Sequence, residues 1–506
     1  LPNSFQLNIE QRPAMTTPKH YQALSQEFQR IYHFQHLQAL GDWDQATMMP
    51  MGGSHGRAEA MAELAVHIHQ LKTAPHLLEL LDSADSEPLT PSQRANLTEM
   101  RYQTLQATAL PSALVQAKTQ LTYQCEHAWR DQRKNNDWQG FAPNLTAVID
   151  LVREEAQILG EAQGLSPYDA LLNKFEPGTQ ACQIEQVFNE VKTWLPDLIK
   201  QVQQHQASRP HLTIPASSVD KQQTLSLDVM SLLGFDFNQG RLDVSSHPFS
   251  GGVPGDQRIT TRYEEQDFLS ALFSTIHETG HARYEQGLPL EWRGQPAGQA
   301  RSMAIHESQS LFFEMQLARG KGLLSPLTAK VNQHLGTQFT ATQLEHLTTQ
   351  VTPGLIRVDA DEVTYPCHIM LRFDAEKALV DGSLSVADLP DFWDNAMQSL
   401  LGLSTKDNDR NGCMQDIHWP VGELGYFPSY TLGAMYAAQL RGAIEAQLGN
   451  IDQLVSDGKL NRVFEWLQHN IWSKGSLLTT NELITAATGE SLNPQHFKRH
   501  LFNRYL

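Results

Sequence analysis

Ser274-Thr275-Ile276-His277-Glu278-Thr279-Gly280-His281-Ala282-Arg283-Tyr284-Glu285 is the stretch on which the reading of this chain turns. It contains His-Glu-x-x-His. On a helix, His277 and His281 lie four residues apart and project to the same side, one turn from each other. Two imidazoles so placed can hold one zinc ion. Glu278 projects beside them, where it can take a proton from a metal-bound water. The flanks predict the helix: Phe268, Leu269, Leu272, Phe273 and Ile276 recur at three- and four-residue spacing, and Gly287 offers a stop. The five-letter pattern also arises by chance on ordinary helix surfaces, so its surroundings must carry part of the argument.

A catalytic zinc takes three protein ligands and keeps one position open. Ala304-Ile305-His306-Glu307-Ser308 through Glu314 predicts a second helix, with Met303, Leu311, Phe312, Met315 and Leu317 as apolar positions. Packed against the first helix, it could present Glu307 to the metal. The separation from His281 is 307 − 281 = 26 residues, room for a Gly- and Pro-rich loop (Gly287 to Gly298) and a return. His306 and Glu314 are alternatives. His306 faces about 100° away from Glu307 on an ideal helix, and Glu314 lies two turns on, on the same side as Glu307.

The 506 residues carry 38 Lys+Arg against 56 Asp+Glu, a net charge of −18. This balance argues against nucleic acid as a partner. No segment approaches the uninterrupted apolar run of a membrane span, and residues 1–14 lack the apolar core of a secretory signal. The four cysteines, Cys125, Cys182, Cys367 and Cys413, are far apart and form no CxxC. They read as reduced thiols of a cytoplasmic protein. Residues 1–14 are read as an added or disordered leader ahead of Met15, and 15–506 as one helical domain.

From Tyr21 to Leu71 the pattern is mostly helical, with a turn through Gly41-Asp42-Trp43-Asp44-Gln45 and Met49-Pro50-Met51-Gly52-Gly53, then a helix from about 56 to 71. Residues 73–95 read as a loop around a short helix. Helical patterns follow at 92–109, 111–135, 141–164, about 181–207 and about 217–234. Ser166-Pro167 starts a short helix and Glu176-Pro177-Gly178 closes it. Strand character is clear in Arg241-Leu242-Asp243-Val244 and Gln257-Arg258-Ile259-Thr260-Thr261-Arg262-Tyr263, with Pro254-Gly255 as a turn signal. Beyond the Glu307 helix, 325–336 and 341–350 look helical. Pro366 fits only the first turn of a helix, so one should start near Thr364, with Tyr365, His368 and Arg372 on one face. The Gly- and aromatic-rich run from Gly412 to Gly433 reads as a rigid loop before a helix.

Together these segments resemble the carboxypeptidase Taq family of metallocarboxypeptidases over nearly the whole chain. The resemblance rests on Trp43-Asp44 with Met49-Pro50 and Gly52-Gly53; His247-Pro248-Phe249; Asp256-x-Arg258-x-Thr260; His277-Glu278-x-x-His281; His306-Glu307-Ser308; Arg357-x-x-Ala360-Asp361-Glu362; Gln415-Asp416-x-His418-Trp419; and Gly425-Tyr426-Phe427-Pro428. It implies a mainly α, elongated metallopeptidase with a long narrow substrate groove and a small β-sheet next to the zinc helix. It implies a homodimer that releases single C-terminal residues from peptides with a free C-terminus, broadly but poorly at proline. It implies one zinc per chain, replaceable by cobalt, with His277, His281 and Glu307 as ligands and Glu278 as base.

In the expected mechanism a zinc-bound water attacks the scissile carbonyl while Glu278 takes its proton, and His418 or Tyr426 supplies an oxyanion donor. An exopeptidase must also recognise the terminal carboxylate, and the planar fork of an arginine suits that task. Arg357 is favoured, with Tyr426 as helper; Arg258 and Arg262 are the other candidates, and His247 is a further substrate contact. The rivals are a zinc oligoendopeptidase of related helical fold and a catalytically silent peptide-binding protein.

Overall fold

The computed structural model describes residues 18–506; the leader read at 1–14 lies outside the described residues. Helices α1 (Lys19–Thr47), α2 (Ser54–Lys72), α3 (Pro75–Asp85) and α4 (Pro91–Thr108) share their own apolar core, built from Tyr21, Leu24, Phe28, Ile31, Ile68, Leu77, Leu81, Leu97 and Met100. Here α1 corrects the sequence reading, because it runs straight through Gly41–Gln45. Gly41 is a packing position. A Cβ there would sit 2.5 Å from Sδ of Met61 on α2, and Arg57 of α2 donates to the Gly41 carbonyl at 2.9 Å and to Asp44 at 2.6 Å. The chain leaves the helix only at Met49-Pro50. The start of α4 shows a local signal that works: Thr90 and Gln93 form a reciprocal capping box with Pro91 at the first helical position.

The next helices are α5 (Ser112–Lys134), α6 (Trp138–Gln163), α7 (Pro167–Leu172), α8 (Ala181–Lys192), α9 (Leu195–Gln206) and α10 (Val219–Leu232). α6 begins earlier than its apolar pattern suggests, because Asp137 accepts from the Gly140 N–H at 2.9 Å and caps it there. The run at 181–207 is two helices rather than one. Pro196 has no N–H to donate and is tolerated only in a first turn, so the chain restarts as α9 after Trp194.

Three strands follow: β1 (Gly240–Val244), β2 (Phe249–Val253) and β3 (Asp256–Thr261), in spatial order β1-β3-β2. β1 pairs parallel to β3, and β2 pairs antiparallel with Gly251 opposite Arg258. Pro254-Gly255 makes the hairpin turn, with Gly255 at φ +92°. β2 escapes sequence reading because its Gly-Gly pair lacks the side chains that mark a strand. It pairs with β3 alone among the described residues and lies between α1 and the next helix, α11 (Phe268–Gly287).

The C-terminal half comprises α12 (Met303–Leu311), continued by a π-helical segment (Phe312–Ala318), then α13 (Lys321–Leu335), α14 (Ala341–Thr348), α15 (Tyr365–Asp381), α16 (Leu389–Leu401), α17 (Pro428–Leu448), α18 (Ile451–Ser456), α19 (Leu460–Asn470), α20 (Thr480–Thr488) and α21 (Pro494–Tyr505). α15 starts where Pro366 predicts. A second, larger core extends from Phe141 of α6 through Phe188, Phe312, Phe373 and Trp393 to Tyr505. The fold is mainly α, with the small sheet packed on the helix that carries His277, and no described helix is long and apolar enough to cross a membrane.

Candidate metal centre

Three helices meet backbone to backbone at the centre of the site. Asp267 caps α11 by accepting from the Ser270 N–H at 3.2 Å, and Ser302 caps α12 by accepting from Ile305 N–H at 3.0 Å. Gly280, between the two histidines, lets α12 approach: a Cβ there would lie 2.6 Å from both the Gln309 carbonyl oxygen and Ser310 Cα. On the other side of α12, Gly433 of α17 faces Glu307, and a Cβ there would lie 2.6 Å from Glu307 Cγ. The helix that carries Glu307 is thus packed closely on both sides, and Gly433 abuts Glu307 itself. If Glu307 is a metal ligand, Gly433→Ala is expected to displace it and weaken metal binding roughly 10- to 100-fold, the range for groups that orient a ligand. Competition with a chelating dye measures this, and an unchanged affinity would mean Glu307 has room to move.

One donor atom from each of His277, His281 and Glu307 lies within 4.8 Å of the others. His277 Nε2 is 3.9 Å from Glu307 Oε1, and His281 Nε2 is 3.6 Å from Glu307 Oε2. The other ring nitrogens face backwards. His277 Nδ1 lies 3.0 Å from Glu314 Oε2, and Arg319 holds that carboxylate at 2.7 Å. His281 Nδ1 lies 2.6 Å from His306 Nδ1, whose own Nε2 is 2.9 Å from Glu285. His306 and Glu314, the alternatives left open by sequence, therefore stand behind the two histidines and orient them.

Burial and the mutual charges of these side chains set the electrostatics of the site. Burial pushes the His277 imidazole down, but Glu307, Glu314 and Glu278 outweigh it and raise the ring to about 10. Burial raises Glu278 to about 7, with Glu307 adding to the lift and His277 opposing it. Burial also raises Glu307, while His281 is pushed far down by burial and then by His306 and His277. Glu278 and Glu307 flank the side to which the two Nε2 atoms point, while Glu314 lies behind His277 and is paired with Arg319. Two imidazoles and one carboxylate with orienting partners behind them fit a divalent metal of the catalytic kind.

A cleft of about 820 Å³ opens onto these residues and onto Glu278, whose residue is 8% exposed. Tyr32 and Gln38 of α1, Phe249 and Ser250 of β2, and Tyr426 and Tyr430 form its walls. The part played by α1 was not foreseen. Tyr32, Gln35, Gln38 and Asp42 do share one face by their spacing, but nothing in that pattern names a chemistry.

Residues 23–505 match the family of carboxypeptidase Taq (M32) metallopeptidases. The chain belongs to this family. It is 38% identical to thermostable carboxypeptidase 1 of Thermus thermophilus, covering 97% of this chain and 99% of that protein. It is 36% identical to carboxypeptidase 1 of Bacillus subtilis, covering 94% and 96%. The solved structure of Trypanosoma cruzi metallocarboxypeptidase 1 superposes with a TM-score of 0.94 at 42% identity, covering 97% of this chain and all of that one. M32 membership makes the chain a metallopeptidase hydrolase, and it implies a divalent metal and peptide substrates.

Within this M32 chain the candidate substrate residues separate into two groups. Tyr426 lines the cleft, and His418 and Arg357 pack behind it and Tyr430 without lining the cleft themselves. Arg357 is nearly buried behind Tyr430, whose ring centroid is 5.3 Å away; its Nε donates to Asp416 at 2.9 Å and its Nη1 to the Tyr365 hydroxyl at 2.7 Å. Arg372 shares Asp416 at 2.7 Å. His418 stacks on Tyr426 at 5.8 Å and 28°, and burial, then Arg357, holds its ring down at about 4. Burial and the nearby Glu307 keep the Tyr426 phenol protonated well above its usual range. Arg258 instead pairs with Asp256 through two 2.9 Å hydrogen bonds and stacks 4.5 Å from the Trp43 ring. Arg262 lies 3.4 Å from Glu264 at the surface. His247 is exposed and does not line the cleft; its carbonyl accepts from Ser245 and Thr260, so its block serves as the turn into β2.

Proposed function

We propose that this chain is a zinc carboxypeptidase that removes one C-terminal residue at a time, broadly but poorly at proline, with Glu278 as general base. The observation that carries the reading is the position of Glu278: nearly buried, beside a two-histidine, one-glutamate donor set, and at the wall of the cleft. His277, His281 and Glu307 would hold the zinc, and the chemistry a bound zinc supplies is polarisation of the scissile carbonyl and acidification of water. Glu278 takes the proton from the attacking water and returns it to the leaving amine. Tyr426, kept protonated by burial, and His418, kept neutral, can each donate a hydrogen bond to the developing oxyanion. β2, unpaired on one side among the described residues, suits an extended peptide backbone along the cleft.

Arg357 is the proposed anchor for the terminal carboxylate. Asp416 and Tyr365 fix its guanidinium by Nε and Nη1, while Nη2 donates to no group among the described residues. Arg357→Ala leaves Asp416 paired with Arg372, so the fold should survive. Loss of a hydrogen bond to a charged group costs roughly 1.5–3 kcal/mol, or about 10- to 150-fold in kcat/KM for free-ended peptides. Amidated peptides should hardly respond. Equal losses on both would make Arg357 structural and return the search to Arg258 and Arg262.

The function itself is tested by digesting a mixed peptide pool with free or amidated C-termini and reading the products by mass spectrometry. Stepwise loss of single residues from free ends is expected. Internal cleavage would favour the oligoendopeptidase reading, and no cleavage the silent peptide-binder. The same reading makes the protein a cytoplasmic homodimer able to use cobalt; all four cysteines are unpaired, which supports a reducing compartment. A single domain over 15–506, of which 18–506 are described, belongs to it as well.

A further inference from the structure

Glu176 is a carboxylate with no exposed surface, and nothing in the chemistry above uses it. It sits just after α7, where sequence shows only a helix end. Its Oε2 accepts from Ser302 Oγ at 2.6 Å, and its Oε1 accepts from the Ala304 N–H and from Ser429 Oγ at 2.8 Å. Ser302 and Ala304 open α12, the helix of Glu307. Ser429 opens α17, beside Tyr426 and Tyr430. The preceding residue reinforces the junction: the Phe175 carbonyl accepts from Met303 N–H at 3.0 Å, and the Phe175 ring meets Tyr426 edge-on at 5.0 Å.

Burying a carboxylate is expensive, and burial lifts Glu176 to about 7 against its three hydrogen bonds. An apolar side chain would occupy this space without that cost. What the carboxylate alone supplies is two acceptor oxygens that reach donors on two different helices, one of them at a helix N-terminus where negative charge is favoured. Arg301 is the nearby cation, but its Nε is taken by Glu99 at 2.8 Å and its Nη1 by the Pro177 carbonyl. Among the described residues Glu176 therefore has no ion-pair partner of its own.

We propose that Glu176 is a positioning residue: it sets the register of the metal-ligand helix α12 against the tyrosine helix α17, and so places Glu307 relative to Tyr426 and Tyr430. This rests on the reading of Glu307 as a ligand and of Tyr426 as a substrate contact.

The test uses the full chain with Glu176→Ala, Glu176→Gln, Ser429→Ala and, in parallel, Glu307→Ala. Zinc affinity is read by competition with a chelating dye, KM and kcat on a free-ended peptide, and folding by circular dichroism. Glu176→Ala is expected to lose roughly 10-fold or more in zinc affinity, as removal of a group orienting a metal ligand does, and to raise KM. Glu176→Gln keeps an acceptor for Ala304 and Ser429 and can donate to Ser302, so it should restore both. Ser429→Ala leaves α12 capped, so it should raise KM with zinc affinity unchanged. A Glu176→Ala protein that melts earlier but keeps its zinc affinity and KM would overturn the proposal, as would a Gln variant as impaired as Ala. Should Glu176→Ala fail to fold, an unchanged KM in Ser429→Ala overturns it by itself. Retained zinc affinity in Glu307→Ala instead removes the ligand assignment beneath the proposal, a separate and recognisable failure.

Discussion

Glu278→Gln is expected to fold, to keep its metal and to lose nearly all turnover. The amide has the same shape as the carboxylate and is cheaper to bury, since burial already raises the acid to about 7. His277, His281 and Glu307 are untouched, so zinc content should equal that of the parent protein. What disappears is the proposed proton acceptor. Removing a general base costs on the order of 10²–10⁴-fold, and more where the same group also delivers the proton to the leaving amine. The loss should fall on kcat, because the residues that line the cleft remain in place. Turnover within a factor of ten of the parent would move the base to another residue.

The second large effect concerns the metal itself. Glu307→Ala removes a donor and is expected to strip zinc from the protein at dilutions where the parent retains it. Activity should vanish with the metal and return only at high added zinc. Glu314→Ala removes instead the acceptor behind His277 Nδ1, 3.0 Å away. Its effect should be smaller, roughly 10- to 100-fold in affinity, with Arg319 left without its carboxylate partner. Comparing the two by dye competition separates a ligand from an orienting group on the same stretch of chain. Equal losses would show the donor assignment to be wrong, and full activity after exhaustive chelation would remove metal chemistry altogether.

Much of this site can be read from local sequence, because local rules govern it. His277, Glu278 and His281 fall together through the period of one helix, and Pro366 and Pro254-Gly255 act within their own turns. What cannot be read depends on which segments meet. Gly41 looks like a break until Met61 is seen lying on it. β2 has strand formers only at its ends, Phe249 and Val253, around a Gly-Gly pair, and it exists because β3 is beside it. His306 and Glu314 carry the right atoms for ligands, and only the packing of α11 on α12 turns them to the rear. Glu176 reads as the end of α7 because both helices it joins start far downstream, at Met303 and Pro428. The π-helical winding from Phe312 to Ala318 likewise leaves no mark in the apolar period.

The two glycine contacts around α12 have a thermodynamic consequence. Gly280 meets only the backbone of α12, and Gly433 packs directly on Cβ and Cγ of Glu307, so the Glu307 side chain is already confined before a ligand arrives. The three donors are already gathered within 4.8 Å. Ion capture here needs little ordering entropy, unlike in small domains whose folding and metal binding are a single event. If zinc is the metal held here, its removal should therefore leave the helical scaffold standing.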